Sequence, residues 1–416
     1  MICLCLRSGQ LPFVIYRAYT IPMRLICVSL LCLLFLSACA RRENANSSAA
    51  ETDEEPAEKS AVVIDPVLVR AGEIAASLDD SLLAAQIIVC GIDGRGSLPP
   101  HMKKLLEDSP AGAVMLFRYN LDADNDSIRA LISQAVSLIK DKTGVSPFIA
   151  VDHEGGTVNR FRRGVATLPA ASSYWELFQA EGRQEALAKI EEDSFNAGSE
   201  ISSLGINLNF APVAEYLTDD NKGFLESRAY GLDPSFAAEA AAAFIGGMEQ
   251  AGVLCVVKHF PGSAGRDPHY YFSVIDRDRE YLDNLVYPFA FLANGRARAV
   301  MVAHTAVPAL DDKIASLSAA VMGNWLREKL GFGGLIITDD FSMTAAGGIK
   351  SEEAAVRSVA AGADMVLVWQ PDLRRTHSAF VSALEDGRLS RERLQDAATH
   401  VIYEKLRMGL IEREED

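Results

Sequence analysis

Residues 298–307 read RAVMVAHTAV, residues 318–331 read SAAVMGNWLREKLG, and residues 334–341 read GLIITDDF. The first and third are near-continuous apolar runs rich in β-branched residues, the pattern of parallel strands covered on both faces. The middle segment reads as a helix, with Ser318 placed as its N-cap and Gly331 as the residue that ends it. Working outward, the same strand-like runs recur at 84–92, 111–117, 147–154, 205–215, 252–260 and 364–370. Helical stretches such as 127–140 and 234–252 lie between them. Strand and helix alternating through eight such runs predict an α/β fold, a (β/α)8 TIM-type barrel, with a doubly wound open sheet as the alternative.

Composition agrees with one large folded core. The chain has 416 residues, 49% hydrophobic and 23% charged, ordinary proportions for a globular protein. With 40 Lys plus Arg against 56 Asp plus Glu, the net charge is −16. That argues against a nucleic-acid partner, which requires a basic surface, and against loose adsorption to anionic lipid.

The N-terminal region reads as a targeting segment. Residues 25–38, LICVSLLCLLFLSA, follow Met23-Arg24 and are too short to span a bilayer. They suit the apolar region of a signal peptide, with Met23 the expected start. The run ends Leu36-Ser37-Ala38-Cys39, which resembles a bacterial lipoprotein signal lipidated at Cys39. Residues 1–39 are therefore expected to be the signal region and 40–72 an acidic tether poor in large apolar side chains. The folded domain is expected over 73–416. Lipidation implies a membrane partner through the anchor, at the cell envelope. Of the seven cysteines, Cys90 and Cys255 alone follow Cys39. Both sit in strand-like runs and read as buried thiols.

In such a barrel the site lies at the C-terminal strand ends. Strand three ends Asp152-His153-Glu154, strand four at Glu215, strand five at Lys258-His259, strand six near His304, and strand seven at Asp339-Asp340. Ionisable groups converge on one rim, which points to an enzyme. Lys258 as a Schiff-base nucleophile stays open on the residues alone. No Cys/His spacing of a zinc site is present, and no metal or cofactor is implied.

DHEGGTVNRF (152–161), NFAPVAE (209–215), ESRAYGLDP (226–234), KHFPG (258–262) and ITDDFSM (337–343) occur in this order. They resemble the signature segments of glycoside hydrolase family 3, especially its bacterial β-N-acetylglucosaminidase branch, over roughly residues 75–412. The resemblance implies a retaining exo-acting enzyme that removes terminal N-acetylglucosamine from peptidoglycan fragments or related glycans. Asp339 takes the nucleophile position; successive strand residues are expected to face opposite sides, so Asp340 is set aside. The Asp267-Pro268-His269 segment resembles the branch's Asp-x-His dyad. There His269 is the proton donor and acceptor and Asp267 orients it; histidine's ordinary pKa of about 6.5 suits both roles. Asp152, Arg228, Lys258 and His259 match positions that hold sugar hydroxyls.

The chain also departs from the family pattern. Ser263-Ala264 stand where His-Gly is usual, the loop is shorter by about two residues, and Glu215 stands where Asp is frequent. Glu154 is expected to brace its loop, and His304 to play a structural part. Another β-glycosidase specificity, or a sugar-binding lipoprotein with weakened turnover, are the alternatives.

Overall fold

A computed structural model describes residues 65–265, 267–343 and 347–412. The signal region, Cys39 and the first part of the tether lie outside the described residues.

Eight parallel strands close into a barrel. They are β1 (Ile88–Gly91), β2 (Ala113–Leu116), β3 (Phe148–Val151), β4 (Leu208–Asn209), β5 (Leu254–Phe260), β6 (Ala299–Val302), β7 (Leu335–Asp340) and β8 (Met365–Val368). Each neighbours the next in sequence, and β8 returns to β1 with Ile88 opposite Val366 and Cys90 opposite Val368. Every run read as a strand is one, and the barrel is the fold. The open sheet is excluded by closure of β8 on β1.

Alternation along the strands decides which residues fill the interior. Val89, Ala113, Met115, Phe148, Ala150, Leu254, Val256, Ala299, Met301, Leu335, Ile337, Met365 and Leu367 form one inner cluster. Their neighbours, including Cys90, Val114, Ile149, Cys255, Val257 and Ile336, face the surrounding helices. Cys90 and Cys255 are free and buried, and burial raises both thiols well above the ordinary range.

The helices follow the local signals. Asn125–Thr143 starts at Asp124, whose side chain accepts from the Ser127 N–H, and stops at Gly144 with φ +71°. The segment expected at 318–331 is a helix, but wider: Ala320–Lys329 has π geometry, with the Leu330 N–H reaching the Trp325 carbonyl. Ser318 Oγ accepts from the Val321 N–H at 3.1 Å, and Gly331 has φ +69°.

One boundary differs from expectation. The tether was placed at 40–72, yet Pro66–Ser77 is a helix packed on the C-terminal helix Arg391–Arg407. Asp65 caps it by accepting from the Val67 N–H at 2.8 Å, and Pro66 is preorganised for its first turn. Ala71 and Ala75 are fully buried in the contact, and the Tyr403 hydroxyl donates to Asp65 at 2.6 Å. The folded domain therefore begins before residue 73. The polar composition upstream hid this 12-residue helix.

Arg391–Arg407 also carries the least expected interior group. Lys405 is fully buried, with Nζ 2.8 Å from Gln86 Oε1 and 5.4 Å from the centre of the Phe148 ring. Burial pushes this amine down to about 7. The unfolded chain keeps the ordinary higher value, so between about pH 7 and 10 it binds more protons than the native state. Stability should then rise with pH across that window. Replacing Lys405→Met should flatten that rise in urea denaturation measured between pH 7 and 10. An unchanged slope would show that Lys405 is not its source.

Candidate active site

The floor of the site follows from the barrel's own packing. Met115, Phe210, Met301 and Leu367 line a cavity of about 350 Å³. They come from β2, the residue after β4, β6 and β8, and so form one layer contributed by alternate strands. Above them the cavity is lined by Asp152, Glu154, Arg160, Arg228, Lys258, His259, His269, Asp339 and Asp340, with Phe117, Phe224 and Trp369 as aromatic wall.

The charged side chains form one lattice. Lys258 Nζ lies 2.5 Å from Asp152 Oδ1 and 2.6 Å from Glu154 Oε1. Arg228 grips Glu154 with two bonds, Nε to Oε2 at 2.8 Å and Nη2 to Oε1 at 2.9 Å. Arg160 donates to the other oxygen of Asp152. Burial would raise the Asp152 carboxyl, but Lys258 and Arg160 hold it well below the usual carboxylate range. Lys258 is held between two carboxylates, so its nitrogen is committed to that ion-paired lattice and does not stand free as a Schiff-base nucleophile would. Glu154, expected to brace its loop, is bonded to Arg228 and Lys258. Arg228, expected to hold hydroxyls, commits its guanidinium fork to Glu154 while still lining the cavity.

The ends of β5 and β7, which carry Lys258, His259, Asp339 and Asp340, are irregular. Between β5 and β6 the pairing runs Val257 to Val300, then Phe260 to Val302. Between β7 and β8 it runs Ile337 to Met365, then Asp340 to Leu367. One extra residue on β5 and one on β7 break the strict alternation. Consecutive residues therefore reach the same space: Lys258 with His259, and Asp339 with Asp340. The expectation that Asp340 faces away from Asp339 fails for this reason.

The two aspartates sit in different surroundings. Asp339 Oδ1 accepts the Asp340 N–H at 2.8 Å. Asp340 accepts the Ser342 N–H at 2.8 Å and a bond from the Trp369 side chain. Burial, with the neighbouring Asp339 charge, pushes the Asp340 carboxyl up to about 6 despite those bonds. His304 is buried, bonded through Nδ1 to Ser316 Oγ at 2.7 Å and through Nε2 to the Asp340 carbonyl at 3.0 Å. It stacks on Phe341 at 4.8 Å. It supports the end of β7, the structural part expected of it.

The loop after β5 supplies His269. Its Nδ1 lies 2.7 Å from Asp267 Oδ1, and its backbone N–H donates to the same oxygen at 2.9 Å. A carboxylate only accepts, so Nδ1 carries the proton and Nε2 is the nitrogen left for exchange. Asp267 stands behind the ring and does not line the cavity. Burial would raise the Asp267 carboxyl, but the bonds from His269 lower it overall. His259 is similarly oriented, with Nδ1 2.8 Å from Glu215 Oε1.

Sequence reasoning missed Arg160, Phe117 and Trp369. Arg160 lies within the segment 152–161 already singled out, and Trp369 follows the eighth strand at the rim. A reading of aromatic residues at strand ends would have found Phe117 and Trp369, and a reading of the basic residue inside segment 152–161 would have found Arg160. Among the described residues, Asp364, Asp396 and His400 approach ligand spacing. The guanidiniums of Arg327 and Arg393 already occupy the Asp364 carboxylate, so the group reads as a structural ion cluster.

The profile of the glycosyl hydrolase family 3 N-terminal domain matches residues 85–403. The chain belongs to glycoside hydrolase family 3. A β-hexosaminidase of Hydrogenovibrio crunogenus is 33% identical over 72% of this chain and 83% of its own length. A β-hexosaminidase of Neisseria gonorrhoeae is 34% identical over 70% of this chain and 78% of its own. Among solved structures, a family 3 β-N-acetylglucosaminidase from Paenibacillus sp. superposes with a TM-score of 0.74 at 30% identity, covering 82% of this chain. This chain spans 64% of that enzyme. NagZ from Neisseria gonorrhoeae, bound to N-trifluoroacetyl-D-glucosamine, gives 0.64 at 29% identity over 76% of this chain and 89% of its own.

The lattice predicts a specific weakness. Glu154 is 5% exposed at its side chain and Lys258 4%. Removing one partner from a buried ion cluster costs about 3–5 kcal/mol, because it leaves charge without compensation. Glu154→Ala should lose that much in urea denaturation. A loss below about 1 kcal/mol would mean the lattice is solvated like a surface pair.

Proposed function

We propose that this family 3 glycoside hydrolase is a retaining exo-β-N-acetylglucosaminidase that releases terminal N-acetylglucosamine from peptidoglycan fragments or related glycans. One observation carries the reading. A β7 carboxylate, Asp339, and an aspartate-backed histidine, His269, line one closed-floored cavity beside the Asp152–Lys258–Glu154–Arg228 lattice. The β-hexosaminidase relatives support the sugar class.

The reaction proceeds in two displacements. Asp152 and Lys258, with Arg228 and His259 beside them, hold the sugar hydroxyls through charge-assisted bonds. An Asp339 oxygen attacks the anomeric carbon as its bond to the leaving oxygen breaks. Protonated His269 gives its Nε2 proton to that oxygen, and Asp267 steadies the imidazolium beforehand. In the second step neutral His269 takes a proton from water. The water oxygen bonds to the anomeric carbon, and the carboxylate of Asp339 leaves.

The leaving group separates the roles. A nitrophenolate departs almost without a proton, whereas a sugar alkoxide requires one. His269→Ala should therefore lose about 10²–10⁴-fold in kcat/KM on a disaccharide and far less on a nitrophenyl glycoside. The covalent intermediate should then accumulate as a burst, and added azide should speed its breakdown. A fluorosugar label should be found on Asp339 by mass spectrometry. Equal losses on both substrates, without a burst, would remove His269 from the mechanism; a label on Asp340 would reassign the nucleophile.

We further propose that Cys39 carries lipid and tethers the domain to a membrane of the cell envelope. The apolar run 25–38 and the Leu-Ser-Ala-Cys sequence support this. A single acyl chain binds membranes only marginally, so several chains on one cysteine are the sufficient form. Cys39→Ala should move the protein from the detergent to the aqueous phase on partitioning; unchanged partitioning would place the membrane link elsewhere.

A further inference from the structure

The loop that bears Asp267 and His269 leaves β5 at Phe260 and comes back to the barrel at Ser273–Val274, which pairs in parallel with Thr305–Ala306. Its neck is built from buried hydroxyls. Ser273 Oγ accepts the Ala264 N–H and donates to the Ala264 carbonyl, both at 3.1 Å. Thr305 Oγ1 lies 3.0 Å from the Gly262 carbonyl and 3.0 Å from Ser273 Oγ. Ser263 turns the other way. Its N–H donates to Glu215 Oε2 at 2.5 Å, and its hydroxyl donates to Oε1 at 3.0 Å. Past the neck the loop is open: the His269 side chain is 62% exposed, and Tyr270 and Phe272 are exposed too.

Glu215 is thereby shared between two places. The oxygen that accepts the Ser263 hydroxyl also accepts from His259 Nδ1 at 2.8 Å and from the His259 N–H at 3.3 Å. His259 lines the cavity. Glu215, His259 and Ser263 are all buried, so solvent does not replace a bond that breaks there, and such a network acts as a unit. His259 therefore joins the cavity wall to the acceptor that holds the loop's neck.

We propose that Glu215 is a positioning residue, with Ser263 as its handle on the loop, that couples occupancy of the cavity at His259 to the placement of His269. The inference rests on His269 as the proton-transfer group. Ser263 and Glu215 are also two of the positions at which the chain departs from the common family residues. Their direct contact makes those departures one local solution.

Ser263→Ala deletes one hydroxyl and leaves the loop tip untouched. The test compares Ser263→Ala, His269→Ala and the double variant on a disaccharide and on a nitrophenyl glycoside. General acid and base assistance is worth about 10²–10⁴-fold, so partial misplacement of His269 should cost about tenfold on the disaccharide and little on the aryl substrate. The double variant should be no worse than His269→Ala, because the hydroxyl acts through that histidine. Ser263→Thr, which keeps the donor, should restore the leaving-group pattern. Equal losses on both substrates, or losses that add in the double variant, would overturn the proposal and leave Ser263 a structural residue. If His269→Ala alone shows no dependence on the leaving group, the proton-transfer assignment fails first and this inference falls with it. That single variant tells the two failures apart.

Discussion

The Lys258 ammonium, lodged between the carboxylates of Asp152 and Glu154, is the interaction on which the site depends. A charge so far out of water requires compensation, and only opposite charge at hydrogen-bond distance supplies it. The compensation is drawn from the end of β3, the end of β5 and, through Arg228, the loop after β4. Three separate strand ends are thus fixed relative to one another before any substrate arrives. A site assembled in this way presents oriented donors and acceptors with little reorganisation left to make. Stability is not the main gain, since buried ion clusters roughly break even against apolar packing. What the lattice contributes is a single geometry.

The barrel beneath it is ordinary in its physics and specific in two places. Alternation packs Met115, Phe210, Met301 and Leu367 into a layer that closes the interior and forms the cavity floor. The extra residues on β5 and β7 then break that alternation at the rim. A regular strand would present one of Lys258 and His259, and one of Asp339 and Asp340. The irregular ends present both members of each pair to one cavity. Chemistry here is therefore placed where the strand departs from its own rule.

The loop after β5 shows how an exposed group can still be directed. His269 is largely exposed, yet its ring is oriented by Asp267 and its loop is gripped at a buried neck. Past the neck the tip is exposed, with His269, Tyr270 and Phe272 open to solvent. Family membership accounts for the segments that build the rim. The Ser263–Glu215 contact closes the neck on the side that faces His259.

The sequence by itself determined the barrel, because its signal is periodic and local. Runs such as AGAVMLF and GLIITDDF can be buried on both faces only as inner strands, and eight of them in alternation leave few architectures. It also determined which residues stand at the rim, since Asp152, Lys258, His259 and Asp339 each end a run. The family segments assigned roles to them. Tertiary structure decided what these residues touch. That Arg228 spends its fork on Glu154, or that Lys258 bridges two carboxylates, depends on distances between strands far apart in sequence. The facing of Asp340 into the cavity depends on the register between β7 and β8, which no single strand encodes. The helix at Pro66 was missed for the opposite reason: its Asp-Pro cap was legible, but its apolar stripe is short, and only the partner helix Arg391–Arg407 makes it worth burying.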